Sequence, residues 1–286
     1  MKTIALILSV ICGSVFGGAV AAKSSYKQAG RAQNSAEDKL SPYSKFVDLN
    51  GIRIHYLEWG RSGPHIVLLH GMNGDASVWK DLAPILASDY HVVAPDRRGS
   101  GKSDKPAEGY NFPTLVNEVA LFFESLKLKP VIVIGHSFGA QLALMTSAMK
   151  PKLVSSVVLI DGGFWPKRSA PGDATPASEI ENTSRDYDPE TIYPQISVPV
   201  LMVLARGSGP DATVIAQLKE KGIDYFEEVR KSEQGAKELA NRMLSRREMT
   251  IIENTSHNIQ IDQPWKLADA IKRFLSKRVS LEDSKR

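Results

Sequence analysis

Short apolar runs separated by polar turns recur along most of the chain. Val131-Ile132-Val133-Ile134 is β-branched throughout and starts just after Pro130, and His65–Leu69, His91–Ala94, Val157–Ile160, Val200–Leu204 and Met249–Ile252 are comparable runs. Apolar runs of this length without polar alternation predict strands covered on both faces. Between them the period changes. Val78, Leu82, Ile85 and Leu86 share one face of a helix predicted over 78–86, Thr114–Leu126 also reads as helical, and Pro264–Leu275 predicts a closing helix with proline in its first turn. Phe46–Leu49 and Ile52–Trp59 are joined by Asn50-Gly51, and that dipeptide supplies the positive φ angles a two-residue hairpin turn requires. A hairpin followed by alternating strands and helices predicts an α/β architecture, a mostly parallel sheet with helices on both faces. In such sheets the loops at the carboxyl ends of the strands build the site.

The ends carry a different pattern. Met1-Lys2 precedes an apolar run from Ile4 to Val20, and Ala19-Val20-Ala21 offers a cleavage site, so residues 1–22 are expected to be a secretory signal peptide. Gly13, Ser14, Gly17 and Gly18 dilute the run and weaken the alternative of a membrane anchor. Cys12, the single cysteine, lies inside this segment behind Ile11, where lipid attachment would want a small residue. The expected mature chain therefore has no disulfide, no thiolate metal site and no cysteine nucleophile. Residues 23–45 are polar without apolar periodicity and are expected to form a flexible linker, with 46–278 as the folded domain and 279–286 as a polar tail. The net charge of +4 is modest, acidic and basic residues are interspersed, and no basic patch is interleaved with aromatics, so no nucleic-acid partner is expected. The expected destination is the cell envelope or the exterior, without a stable membrane anchor.

The candidate chemistry sits at Gly135-His136-Ser137-Phe138-Gly139. The strand Val131–Ile134 enters this G-x-S-x-G motif, and the helix-forming run Ala140–Met145 leaves it. A strand, a one-residue turn and a helix form the context in which such a serine is exposed as a nucleophile. The glycines let strand and helix approach closely while Ser137 takes a strained backbone conformation.

His70-Gly71-Met72-Asn73-Gly74, Asp96-Arg97-Arg98-Gly99-Ser100-Gly101-Lys102-Ser103, Gly135–Gly139 and Ser256-His257-Asn258 follow in order. Together they resemble the α/β-hydrolase fold, in the family of small esterases, lactonases and C–C bond hydrolases, over roughly Phe46 to Leu275. The resemblance implies an eight-stranded, mostly parallel sheet. It also implies a serine hydrolase of carboxylic esters, lactones or thioesters, with a small-molecule ester substrate and no metal or organic cofactor. An acyltransferase, a C–C bond hydrolase or a non-catalytic ligand-binding protein are the alternatives. Dehalogenases and epoxide hydrolases of this fold use a carboxylate nucleophile, and Ser137 argues against both.

A serine needs a base, and the base needs an orienting acid. His257, after the last strand, is the expected base; His70 and His136 are expected to be structural or pocket residues, and His55, His65 and His91 to be packed or exposed on strands. The backbone amides of Phe138 and Met72 are the expected oxyanion donors. For the acid two candidates stand. Asp161 ends the sixth strand directly, whereas Asp211 follows the seventh strand late, behind Pro210, and doubles as a helix N-cap. Asp96 and Arg98 are expected to form a structural ion pair that braces a loop. Phe164 and Trp165 are expected to line the pocket entrance. A cap over 164–197, interrupted by Pro166, Pro171, Gly172, Pro176, Pro189 and Pro194, is expected to be short and irregular and to leave the site open.

Overall fold

The computed structural model describes residues 42–163, 189–207, 212–220, 222 and 224–283. The expected signal peptide, nearly all of the linker, residues 164–188 of the cap with Phe164 and Trp165, and Asp211 lie outside the described residues. No helix among the described residues is long and apolar enough to cross a membrane.

Strands β1 (Tyr43–Leu49), β2 (Ile52–Trp59), β3 (His65–Leu69), β4 (His91–Pro95), β5 (Val131–His136), β6 (Val154–Ile160), β7 (Val200–Arg206) and β8 (Arg247–Glu253) form one sheet. Its order is β1-β2-β4-β3-β5-β6-β7-β8. β2 pairs antiparallel with β1 and β4, and every other pair is parallel. The helices are α1 (Ala83–Leu86), α2 (Phe112–Ser125), α3 (Phe138–Met149), α4 (Pro189–Ile192), α5 (Ala212–Glu220), α6 (Tyr225–Met243), α7 (Ile259–Asp262) and α8 (Pro264–Asp283). The sheet lies within one compact unit, Lys39–Ser208 with Glu233–Arg286, and α5 belongs to a second.

Strand periodicity of two sorts the apolar side chains onto the two faces. Val67, Leu69, Val133, Val157, Leu159 and Met202 join one core with residues of α2 and α3. Their neighbours Ile66, Leu68, Ile134, Val158, Ile160 and Val203 join the other with Trp79 and with Leu267, Ile271 and Phe274 of α8. Each fully buried aliphatic side chain contributes about 1.5–3 kcal/mol. A one-residue slip would exchange the two faces, so packing against both layers fixes the register. Helix α3 is buried along its whole length except Met149, as expected of a helix apolar on all sides.

Four expectations are corrected. The predicted helix 78–86 is two pieces, a 3₁₀ turn at Ala76–Trp79 capped by Asp75 and the short α1, because Pro84 cannot donate a helical hydrogen bond and sits instead in a new first turn. Strand β1 begins at Tyr43, inside the segment expected as linker, pairing Tyr43 with Glu58; as an edge strand it leaves most of its residues exposed. Helix α8 runs on through Asp283, past the expected domain end at 278.

The fourth concerns Asp96 and Arg98, which do not pair with each other. Arg98 forms its ion pair with Glu118 of α2 at 2.7 Å. Buried Asp96 instead receives His55 Nδ1 at 2.8 Å and the amides of Ala76 and Lys102 at 2.7 and 2.8 Å. His55 Nε2 in turn lies 2.8 Å from the hydroxyl of Ser44 on β1. The loop is braced as expected, but by a different set of partners.

Candidate active site

The sheet delivers three candidate residues to the carboxyl ends of its parallel strands β5, β6 and β8. Ser137 follows β5, Asp161 follows β6, and His257 lies on the loop between β8 and α7. Ser137 has φ 53° and ψ −116°, a conformation rare for a non-glycine residue, so the strand turns into α3 within one residue. Gly135 and Gly139 make this turn possible: a Cβ on Gly139 would collide with the Leu69 carbonyl oxygen, and one on Gly135 with the Gly139 carbonyl. The Ser137 amide donates to the Ile160 carbonyl at 3.0 Å, tying the turn to β6.

Asp161 also adopts positive φ, 43°. Its amide donates to Val203 O at 2.8 Å, and its Oδ1 accepts the Ala205 amide at 2.9 Å, so β7 holds the carboxylate from the side. The other oxygen, Oδ2, lies 2.7 Å from His257 Nδ1. This pair is open to solvent, with side-chain exposures of 41% for His257 and 25% for Asp161. Asp161 is thus the candidate acid that meets His257, while Asp211 lies outside the described residues.

The loop carrying His257 is held from two sides. Asp262 Oδ2 accepts the Ser256 amide at 2.7 Å, and Nε2 of buried His136 donates to the His257 carbonyl at 2.8 Å. The two rings pack with centroids 4.6 Å apart, which places His257 against the residue preceding Ser137. Burial, and then the neighbouring His257, push the His136 pKa down to about 4, so His136 is neutral at ordinary pH. Ser137 Oγ and His257 Nε2 have no hydrogen-bond partner among the described residues; such contacts commonly tighten only when substrate is present.

The two segments that carry the expected oxyanion donors Phe138 and Met72 flank Ser137. The Phe138 amide is the first of α3, whose positive dipole end faces the serine. The His70–Gly74 turn packs against the other side, where a Cβ on Gly71 would lie 3.3 Å from Ser137 Cβ and 3.1 Å from His136 Nδ1. His70 is fully buried and braces this turn, donating through Nδ1 to Gly71 O at 2.9 Å and accepting the Arg97 amide at Nε2 at 3.1 Å. Burial, with Arg97 close by, holds its pKa well below the usual imidazole value. Two contacts were not legible in the sequence: the Arg97 side chain on Gly71 O at 2.9 Å, and the Ala205 amide on Asp161. Both contacts depend on long-range packing; the one local signal was an arginine pair next to the buried Asp96.

Comparisons with known proteins bear on the fold and family. A family model for the alpha/beta hydrolase fold matches residues 64–206, half of the chain. The 2-(acetamidomethylene)succinate hydrolase of Mesorhizobium japonicum is 36% identical over 118 residues, 41% of this chain and 42% of that protein. The soluble epoxide hydrolase of a Corynebacterium strain is 36% identical over 113 residues, 40% of this chain and 39% of that protein. The match thus spans about two fifths of the length of these curated relatives. Among solved structures, a membrane phospholipase A described as a bacterial virulence factor superposes with a TM-score of 0.64 at 21% identity, covering 96% of this chain and 97% of that one. The family match, the sheet order and the motifs at the strand ends lead to one conclusion: the chain belongs to the α/β-hydrolase family.

Proposed function

We propose that this protein is an exported serine hydrolase of carboxylic esters, lactones or thioesters. The observation that carries the reading is the 2.7 Å contact between His257 and Asp161, made beside a serine held at positive φ on a helix N-terminus. Ser137 Oγ attacks the ester carbonyl while His257 Nε2 takes its proton. The tetrahedral oxyanion is held by the Phe138 and Met72 amides, which act in a site already organised for it. His257 then hands the proton to the leaving alcohol, and the acyl group remains on Ser137. Water, deprotonated by the same imidazole, releases the acid and regenerates the serine. Asp161 keeps the proton on His257 Nδ1 and stabilises the imidazolium that forms at each step.

Likeness to an epoxide hydrolase does not alter this proposal, because Ser137 occupies the position where epoxide hydrolases of the fold carry a carboxylate. Likeness to a protein named for succinate-derivative hydrolysis favours a second reading, in which the same residues cleave a different acyl bond. Mass spectrometry after treatment with a fluorophosphonate tests the nucleophile: one adduct is expected on Ser137, and an unmodified protein would overturn the proposal. A panel of p-nitrophenyl esters graded by acyl length, run beside amide substrates, separates the two readings.

A further inference from the structure

Arg97 is a cation without a carboxylate of its own. The residue is 6% exposed, and among the described residues its guanidinium forms no ion pair. Glu118, the nearest acidic influence, is taken by Arg98 through Nε at 2.8 Å and Nη2 at 2.7 Å. Among the described residues the buried Nε of Arg97 has no hydrogen-bond partner. An unpaired buried charge costs several kcal/mol, so a fold that keeps one either compensates elsewhere or uses it.

Its contacts converge on both oxyanion donors. Nη2 donates to the Gly71 carbonyl at 2.9 Å, which also accepts from His70 Nδ1 at 2.9 Å and from the Gly74 amide at 3.3 Å. That carbonyl belongs to the peptide whose N–H is the Met72 donor. Three donors fix the plane of this peptide, and drawing electron density towards its oxygen makes its N–H a stronger donor. The guanidinium carbon also lies 4.8 Å from the centre of the Phe138 ring, stacked against the residue that carries the other donor. Burial lowers the Arg97 pKa to about 10, which still leaves it charged at neutral pH.

We infer that Arg97 is a positioning residue for the oxyanion hole: it fixes and polarises the Gly71–Met72 peptide and places a water-excluded positive charge behind both donors. The inference rests on the serine-hydrolase reading above. It predicts that Arg97 acts on the transition state rather than on substrate binding.

The test compares Arg97→Met, Arg97→Gln and Arg97→Lys with the wild type on a p-nitrophenyl ester, with thermal denaturation confirming folding. The expected result is a fall in kcat of roughly 10–100-fold for Met and Gln, with KM within about 3-fold, and partial recovery in Lys. Inhibition by an alkyl boronic acid, which forms a tetrahedral adduct on Ser137, should weaken in parallel with kcat/KM. A merely structural arginine would lower thermal stability without moving boronate affinity. If Met unfolds, Gln and Lys decide. Unchanged kcat and boronate affinity in the folded variants, or a change confined to KM, overturns the inference. Full activity in Ser137→Ala would instead overturn the serine-hydrolase reading on which it rests.

Discussion

The described residues hold two serine–histidine–aspartate constellations, and one of them has the better hydrogen bonds. Ser44, His55 and Asp96 are linked by two contacts of 2.8 Å, whereas in the set of Ser137, His257 and Asp161 only the His257–Asp161 contact is formed. What separates them is the backbone. Ser44 lies in a regular edge strand, with neither positive φ nor a place at a helix N-terminus. Asp96 is saturated by two amides besides His55 and braces a loop. Ser137 is held at φ 53°, at the N-terminus of a buried helix, with the Gly71–Met72 turn packed alongside. On the proposed reading, residue types and distances therefore do not by themselves define a nucleophile. A place where charge can develop, lined by fixed donors, does.

The comparison is sharpened most by removing each serine. Ser137→Ala should lower ester turnover by about 10⁴–10⁶-fold and abolish the fluorophosphonate adduct, measured by steady-state kinetics and intact mass. An adduct that persists on Ser44 in that variant would erase the distinction. The two aspartates should dissociate chemistry from stability. Asp161→Asn should reduce kcat by roughly 10³–10⁴-fold, since His257 loses its orienting acceptor, with little change in melting temperature. Asp96→Asn should do the reverse, costing about 1–3 kcal/mol of stability because a buried, amide-bonded carboxylate is replaced, while kcat stays within a few-fold. At about 2–4 °C per kcal/mol, calorimetry resolves that loss.

The two constellations were not equally legible in the sequence. Ser137, His257 and Asp161 each stand at the end of an apolar strand run, and the sheet order then brings those ends together. The strands themselves were legible because a continuous β-branched run has few alternatives. The set at Ser44 was hidden for two reasons. Its strand is a solvent-facing edge whose polar residues resemble a linker, and His55 meets Asp96 across 41 positions of chain. Arg97 was hidden for the second reason, since its target Gly71 is fixed by β3 and β4 lying side by side. Local pattern gives period and caps; it does not state which distant polar groups are left to satisfy one another. The two-piece structure around Pro84 is a smaller case, in which apolar spacing outweighed a proline that ends one helical segment and begins another.

A pH titration probes the coupling of His136 to the Ser137 site. His136 changes from an ordinary value of 6.5 to about 4 on folding, mainly through burial. The unfolded chain therefore binds a proton more readily than the native one between these values. Stability supplied by neutral His136 is fully present above about pH 6.5 and is lost as pH falls towards 4, by on the order of 3 kcal/mol. His70, also held neutral by burial, adds a loss of the same sign. Denaturant unfolding at a series of pH values should show this slope, and His136→Gln should flatten it. A slope unchanged in that variant would mean that His136 is not buried as neutral imidazole against the His257 loop.

The smallest effect expected is at Ser44. Ser44 is an exposed residue and, among the described residues, its hydroxyl bonds His55, so in Ser44→Ala water can take the place of that hydroxyl. The net cost should be about 1 kcal/mol or less, and ester turnover should stay within experimental error of wild type. Thermal denaturation and a single-substrate assay are enough to check both. The value of so small an effect is that it bounds what a serine–histidine–aspartate chain contributes when nothing stabilises the charge it would generate. A loss of turnover here beyond about 3-fold would mean that the edge hairpin communicates with the strand ends, and that Asp96, rooted in the loop that also carries Arg97, is the route.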